Sequence, residues 1–279
     1  MVYVCVGPAT GERMRTAPSR VAAALIAMIT GVTCLTTGCG EWARVAPGPA
    51  PLRIGVAPDY PPIVYRDEQG VYGVEPELAR MAADALNRRP EFVELDRDEL
   101  IPALEQGRID VVMSGMSITP ERAERVRFTG PWLRVGQLAL IRHADLARLG
   151  QPAAIHRPGV RVGFVADTTG EAYVRTQLPL SESYAFDSPA DGVRSLRAGR
   201  IDFFVHDAPT IWYVTMAPDA DDLIGLFRPL TEEYLAWAVA RDDVALQRAL
   251  DALLAEWRAE HRLAPVIDRW IPVRVEVGR

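Results

Sequence analysis

From Leu52 onward, apolar residues fall alternately into short runs and into spaced sets. Leu52-Arg53-Ile54-Gly55-Val56, Phe92-Val93-Glu94-Leu95 and Ile109-Asp110-Val111-Val112-Met113 are runs of strand length. Between the first two, Leu78, Met81, Ala82, Ala85 and Leu86 recur at three- and four-residue spacing, which predicts one buried face of a helix opened by Pro76. Leu100 to Gln106 predicts a shorter helix, stopped by Gly107 as a left-handed cap. Such alternation of strand and helix predicts an α/β fold with a mostly parallel sheet covered by helices.

The same unit occurs twice. Leu104-Glu105-Gln106-Gly107-Arg108-Ile109-Asp110 leads into a strand that ends at Ser114-Gly115. Leu196-Arg197-Ala198-Gly199-Arg200-Ile201-Asp202 leads into one that ends at His206-Asp207. The repeat predicts two lobes of similar architecture. Ligands of open α/β sheets sit outside the carboxyl ends of strands, so both polar ends are candidates to face one cleft. Leu138 to Ile141 and Tyr234 to Val239 are the apolar stretches expected to carry the chain across and back. That places lobe 1 at 52–139 and 235–273 and lobe 2 at 140–234. A final helix bearing Val244, Leu246, Leu250, Leu253, Leu254 and Trp257 returns to lobe 1.

The N-terminal region changes the picture. Arg13, Arg15 and Arg20 precede an uncharged run from Val21 to Leu35, which suits a signal peptide better than a bilayer span. The run ends in Leu35-Thr36-Thr37-Gly38-Cys39, which resembles a lipoprotein lipobox, with Thr36 in place of the usual large aliphatic residue. Residues 1–39 are thus expected to be a signal peptide with Cys39 as the lipidated residue, and 40–51 a Pro- and Ala-rich tether. Cys5, Cys34 and Cys39 are the only cysteines, so the exported fold has no disulfides and relies on its own core. A net charge of −6, with arginines interleaved among acids, argues against a nucleic-acid partner.

Three stretches could carry chemistry. In Ser117-Ile118-Thr119-Pro120-Glu121-Arg122, Thr119 is an N-cap and Pro120 a first helical residue. The helix start and the Arg122 fork could hold a carboxylate, or the stretch is a capped surface helix with a solvated arginine. Thr168-Thr169-Gly170 is either a second set of donors or an ordinary helix start. Asp207 could take an ammonium group, or it only caps the helix that begins at Ala208-Pro209. Anion donors facing a carboxylate would suit a free α-amino acid, which carries both charges. No metal or cofactor is called for: His143, His156, His206 and His261 are scattered, and there is no Gly-x-Ser-x-Gly elbow or phosphate loop.

At these residues the chain resembles the family 3 extracellular solute-binding proteins, the amino-acid receptors of bacterial ABC importers. The markers run from Ile54-Gly55-Val56 with Tyr60-Pro61-Pro62, through Gly73 to Ala79 and Leu100 to Leu104, to Gly107-Arg108-Ile109-Asp110. They continue with Met116 to Arg122, Thr168-Thr169-Gly170 and His206-Asp207 with Pro209. The resemblance implies a two-lobed periplasmic-binding-protein type II fold with two hinge strands that closes around its ligand. It implies that Arg122 grips the ligand carboxylate, helped by backbone and hydroxyl groups of Ser117, Thr168 and Thr169. Asp207 and Ser114 would take the ammonium, Tyr60 would form an aromatic wall, and Gly115 would line the cleft. Ala57 replaces the carboxylate of relatives for basic or amide side chains, and Arg97 replaces a stacking aromatic. Both departures point to a polar or acidic ligand rather than a basic one. The implied protein is a lipid-anchored monomer outside the cytoplasmic membrane that meets an ABC permease transiently.

Two other function classes compete. Cyclohexadienyl dehydratases resemble the same family, and in that reading Arg97 and Arg122 hold a dicarboxylate while His206 or Glu171 acts as acid. The third is a sensor input domain, against which no membrane-spanning segment follows the fold up to Arg279.

Overall fold

A computed structural model describes residues 49–226 and 228–271; the expected leader, Cys39 and most of the tether lie outside the described residues. Two five-stranded sheets share one plan. The first runs in the order Pro90–Glu94, Leu52–Val56, Val111–Val112, Ala238–Ala240, Val126–Phe128. The second runs Glu182–Phe186, Arg161–Val165, Phe203–Asp207, Gln137–Arg142, Leu223–Leu226. In each, three parallel strands are followed by a fourth that runs antiparallel to both its neighbours. That is the doubled architecture expected from the repeat.

The repeated Gly-Arg-Ile-Asp has a structural reason. Asp110 accepts from Arg53 N at 3.0 Å and from the Arg53 guanidinium, whose Nη1 donates onward to Gly107 O at 2.6 Å and Arg108 O at 3.0 Å. In the second lobe Asp202 accepts from Arg161 N and Nε, both at 3.1 Å. Arg161 Nη1 then donates to Gly199 O at 2.8 Å and Arg200 O at 2.9 Å. Each aspartate therefore fastens the second strand in the order of its sheet to the turn before the third. Gly107 and Gly199 make these turns with φ of 65° and 69°. Burial works against ionisation of Asp202, but the bonds from Arg161 prevail and hold it at about 2.

The crossovers differ from expectation. Leu138 to Ile141 lie within Gln137–Arg142, a strand of the second sheet, and its residues from Gln137 to Ile141 are buried. The chain crosses earlier, on Leu133–Val135, which pairs antiparallel with Glu233–Leu235 on the return. Sheet membership thus changes before Gln137 rather than after Ala139. An unbroken apolar run marks a strand covered on both faces, whereas the crossing Leu133–Val135 alternates between half-buried and exposed. The helix expected from Pro76 begins at Val74, because Val74 N and Glu75 N already find acceptors in Pro62 O and Ile63 O at 3.1 and 3.0 Å. Its buried face is completed by Ala83 rather than Ala85. The closing helix Val244–Ala259 seals lobe 1, with Trp257 packed edge-on against Trp237 at 6.2 Å.

Candidate functional site

The two polar strand ends meet at one cavity of about 290 Å³. All nine residues expected at a ligand line it: Tyr60, Arg97, Ser114, Gly115, Ser117 and Arg122 from lobe 1, and Thr168, Thr169 and Asp207 from lobe 2. Gly115 is required by close approach, since a Cβ there would stand 2.3 Å from Tyr60 Cε1.

Arg122 lies in a single turn, Pro120–Ala123, capped by Thr119, whose Oγ1 accepts from Arg122 N at 3.2 Å. The cap is real, yet the guanidinium turns to the cleft. Its Nη1 donates to Ser117 O at 3.1 Å, and its Nη2 approaches Asp167 O of lobe 2 at 3.4 Å. Among the described residues Arg122 forms no ion pair, and burial lowers its pKa. Asp207 and Glu233 attract this half-buried cation only from beyond ion-pair distance, so its desolvation is incompletely offset and an anionic ligand would relieve the remainder.

Asp207 holds the cap position of the helix Ala208–Thr215 but makes no side-chain capping bond. Its carboxylate instead accepts from the phenol of Tyr60, across the cleft, and from Gln137 Nε2. Burial, and then the nearby charge of Glu233, push Asp207 up to about 6. Thr210 Oγ1 donates to Pro61 O at 3.0 Å, a second bond between the lobes.

Over residues 52–273 the sequence matches the family model of bacterial extracellular solute-binding proteins, family 3. The chain belongs to that family. It is similar to the ABC transporter arginine-binding protein 1 of Escherichia coli (strain K12), 27% identical, over 79% of this chain and 90% of that one. Among solved structures it is similar to the putative binding component of an ABC transporter from Wolinella succinogenes complexed with lysine. There the TM-score is 0.76 and identity 27%, covering 81% of this chain and 96% of that one. It is also similar to the ancestral amino acid-binding protein AncCDT-1, a precursor of cyclohexadienyl dehydratase. The TM-score is 0.72 and identity 29%, covering 79% of this chain and 94% of that one.

The chain is a two-lobed solute-binding protein of family 3, and the relatives named above are binding proteins rather than enzymes. Of the two acids in the dehydratase reading, His206 and Glu171, the second is committed elsewhere: Oε1 accepts from Arg175 Nε at 2.7 Å and Oε2 from Asp167 N at 2.8 Å. Among the described residues no group of three or more His, Cys, Asp or Glu could hold a metal ion, and no helix is long and apolar enough to cross a membrane.

Several expected roles change in this family 3 cleft. Arg97 lines the cavity, but its Nη2 is paired with both oxygens of Asp59 at 2.7 and 2.8 Å, so its charge is already matched. Ser114 Oγ accepts from Ala57 N at 2.8 Å and thereby fixes the backbone of the first strand-to-loop turn. Thr168 Oγ1 donates to Val165 O at 2.6 Å and caps Glu171 N at 3.3 Å, the ordinary helix start that its position allowed. Ser117 and Thr169 both donate their hydroxyl hydrogens to Glu233. In this conformation no hydroxyl hydrogen of Ser117, Thr168 or Thr169 remains for a ligand carboxylate, which leaves that task to Arg122 and backbone N–H groups.

Three further residues of the site escape the sequence reading, and a fourth, His206, enters it only as a family marker and as a candidate acid of the dehydratase alternative. Glu233, on the returning crossover, and Gln137, at the start of a lobe 2 strand, knit the floor of the cleft. Glu75 is fully buried; it accepts from Gly115 N and, at 2.9 Å, from Trp132 Nε1, and burial pushes it up to about 8. It thereby holds the loop that presents Gly115. His206 lines the cavity and is buried. Asp207 N donates to its Nδ1 at 2.8 Å, and burial pushes its pKa down to about 3. The neutral ring must then carry its hydrogen on Nε2, a buried donor with no partner in the protein. A polar strand end earned Asp207 its notice; the same signal covered His206.

Proposed function

We propose that this protein is the extracytoplasmic receptor of an amino-acid ABC importer and that its cleft clamps a free α-amino acid with a polar or acidic side chain. One observation carries the reading. Arg122 of lobe 1, a cation without an ion pair, and Asp207 of lobe 2, a buried carboxylate, line the same small cavity. An α-amino acid brings a carboxylate to the first and an ammonium to the second, and its presence favours the closed arrangement. The motif ending in Cys39 supports attachment by lipid, and a monomeric receptor meeting its permease transiently accords with the family.

The side-chain preference is supported by two features. Ala57 offers no carboxylate to a cationic side chain, and His206 Nε2 is a donor that needs an acceptor. An amide or carboxylate oxygen provides one; arginine and lysine side chains offer only donors. Since Arg97 is matched by Asp59, a neutral amide suits the pocket as well as an acid does. Thermal-shift screening against the twenty amino acids and small dicarboxylates tests this. The largest shift is expected with an amide or acidic amino acid. A shift with arginine or lysine alone overturns the side-chain preference, and no shift with any amino acid overturns the receptor reading.

Acid should weaken the clamp. Asp207, raised to about 6, must be ionised to take an ammonium, so protons compete with ligand below that pH. Lowering the pH from 7 to 5 is expected to weaken affinity by about tenfold; titration calorimetry at the two pH values would show it, and equal affinities would count against Asp207 as the anchor.

A further inference from the structure

Glu233 does not itself line the cavity, but it holds two residues that do, one from each lobe. It sits on Glu233–Leu235, the strand on which the chain returns from lobe 2, and four donors converge on it. Its Oε2 accepts from Ser117 Oγ of lobe 1 at 2.8 Å and from Thr169 Oγ1 of lobe 2 at 2.6 Å. Its Oε1 accepts from Thr231 Oγ1 at 2.7 Å and from Gln137 Nε2 at 3.1 Å.

A hydroxyl has one hydrogen and two lone pairs. With both hydrogens drawn toward Glu233, Ser117 and Thr169 can present only oxygen lone pairs to the cavity that they line. Gln137 Nε2 has two hydrogens for three acceptors: one goes to Asp207, and Thr169 Oγ1 and Glu233 Oε1, each at 3.1 Å, share the other. Thr169 therefore keeps at least one lone pair, and its oxygen lies with the carboxylate of Asp207 around that common nitrogen. An ammonium, with three N–H donors and no acceptor, matches such a set.

We infer that Glu233 is a positioning residue that turns Ser117 and Thr169 into acceptors, completing with Asp207 a three-sided seat for the ligand's ammonium. The inference rests on the amino-acid receptor reading and deepens it. The hydroxyls select for the amino group, and the carboxylate end is left to Arg122.

The test uses Glu233→Gln. One carboxylate oxygen becomes an NH2, which donates where two hydrogens formerly pointed, and the hydroxyls are forced to turn. Dissociation constants are measured by calorimetry for the preferred amino acid and for its deaminated analogue, in which hydrogen replaces the ammonium. In the variant the amino acid should lose at least about tenfold in affinity, while the analogue changes by less than about threefold. A purely structural role would weaken both ligands alike, and equal losses, or an unchanged ratio, overturn the inference while leaving the receptor reading intact. A wild-type protein that binds no amino acid overturns the receptor reading itself and this inference with it. Should Glu233→Gln fail to fold, Thr169→Val and Ser117→Ala each remove one oxygen. Each must then lower the ratio of amino-acid to analogue affinity, and an unchanged ratio in both overturns the inference.

Discussion

Replacing Arg122 by alanine is expected to weaken amino-acid binding by at least about thirtyfold, because truncating one half of a desolvated charge pair typically costs about 2–5 kcal/mol. The reason lies in the unliganded cleft. Arg122 contributes two hydrogen bonds to carbonyl oxygens, Ser117 O and the more distant Asp167 O, and has no carboxylate beside it. Its charge is therefore poorly compensated until a ligand arrives. For the same reason the substitution should leave the melting temperature of the empty protein unchanged or slightly raised, since it removes an uncompensated charge rather than a stabilising pair. Arg122→Lys keeps the charge but not the planar fork, and should recover only part of the affinity. Calorimetry and thermal melts on the three proteins separate these effects. Undiminished binding by Arg122→Ala would remove Arg122 from the ligand site.

The second large effect concerns stability rather than binding. Burial pushes Glu75 up to about 8 in the folded protein, against the ordinary glutamate value of 4.5. Its folded form therefore holds a proton that the unfolded form has already released. The contribution to stability is greatest below the unfolded pKa and is lost as the pH rises through the folded one. Between pH 6 and 8 the two states differ by nearly one proton, so stability should fall by about 1.4 kcal/mol per pH unit, roughly 2–3 kcal/mol in all. Asp207, raised to about 6, adds the same sign of dependence at lower pH, while His206, lowered to about 3, opposes it by roughly 1 kcal/mol between pH 6 and 7 because the unfolded ring still binds part of a proton there. Glu75→Gln cannot titrate at this position, so its denaturant midpoint should not fall across that window, and the difference between the two proteins isolates Glu75. A wild-type midpoint that does not fall between pH 6 and 8 would show that Glu75 ionises within the fold.

The parts of the site legible in sequence are those whose chemistry is local. Ser117 to Arg122 declares a capped turn within six residues, and the repeated Gly-Arg-Ile-Asp locates the strand ends that carry Ser114 and Asp207. The rest depends on partners far along the chain. Arg97 looked like an available cation because nothing near it in sequence marks Asp59, 38 positions away, as its counter-ion. Glu233 and Ser117 are 116 positions apart, and only the pairing of the two crossovers brings them together. Nothing in the neighbourhood of Glu75 shows that Trp132 and Gly115 would enclose it. The misplaced crossover has a related cause: four apolar residues in a row mark burial, and burial was greatest inside the second sheet, not on the connection. Side chains that hold a fold together can be read from patterns; those that neutralise or orient one another cannot.

The arginine-aspartate fastening at Asp110 and again at Asp202 has a practical consequence. Arg53 and Arg161 occupy corresponding strands, second in the order of each sheet, and each donates to the same two carbonyls of its own glycine turn. The molecule thus contains two copies of one experiment. Asp110→Asn and Asp202→Asn make the same chemical change at the same fastening, with Arg88 as a further partner at Asp110 and Arg148 at Asp202. They differ mainly in which body carries it: lobe 1, sealed by the closing helix, or lobe 2, reached through the paired crossovers. Any difference between the two variants would measure how each half transmits a local loss of order to the whole, with the protein serving as its own control.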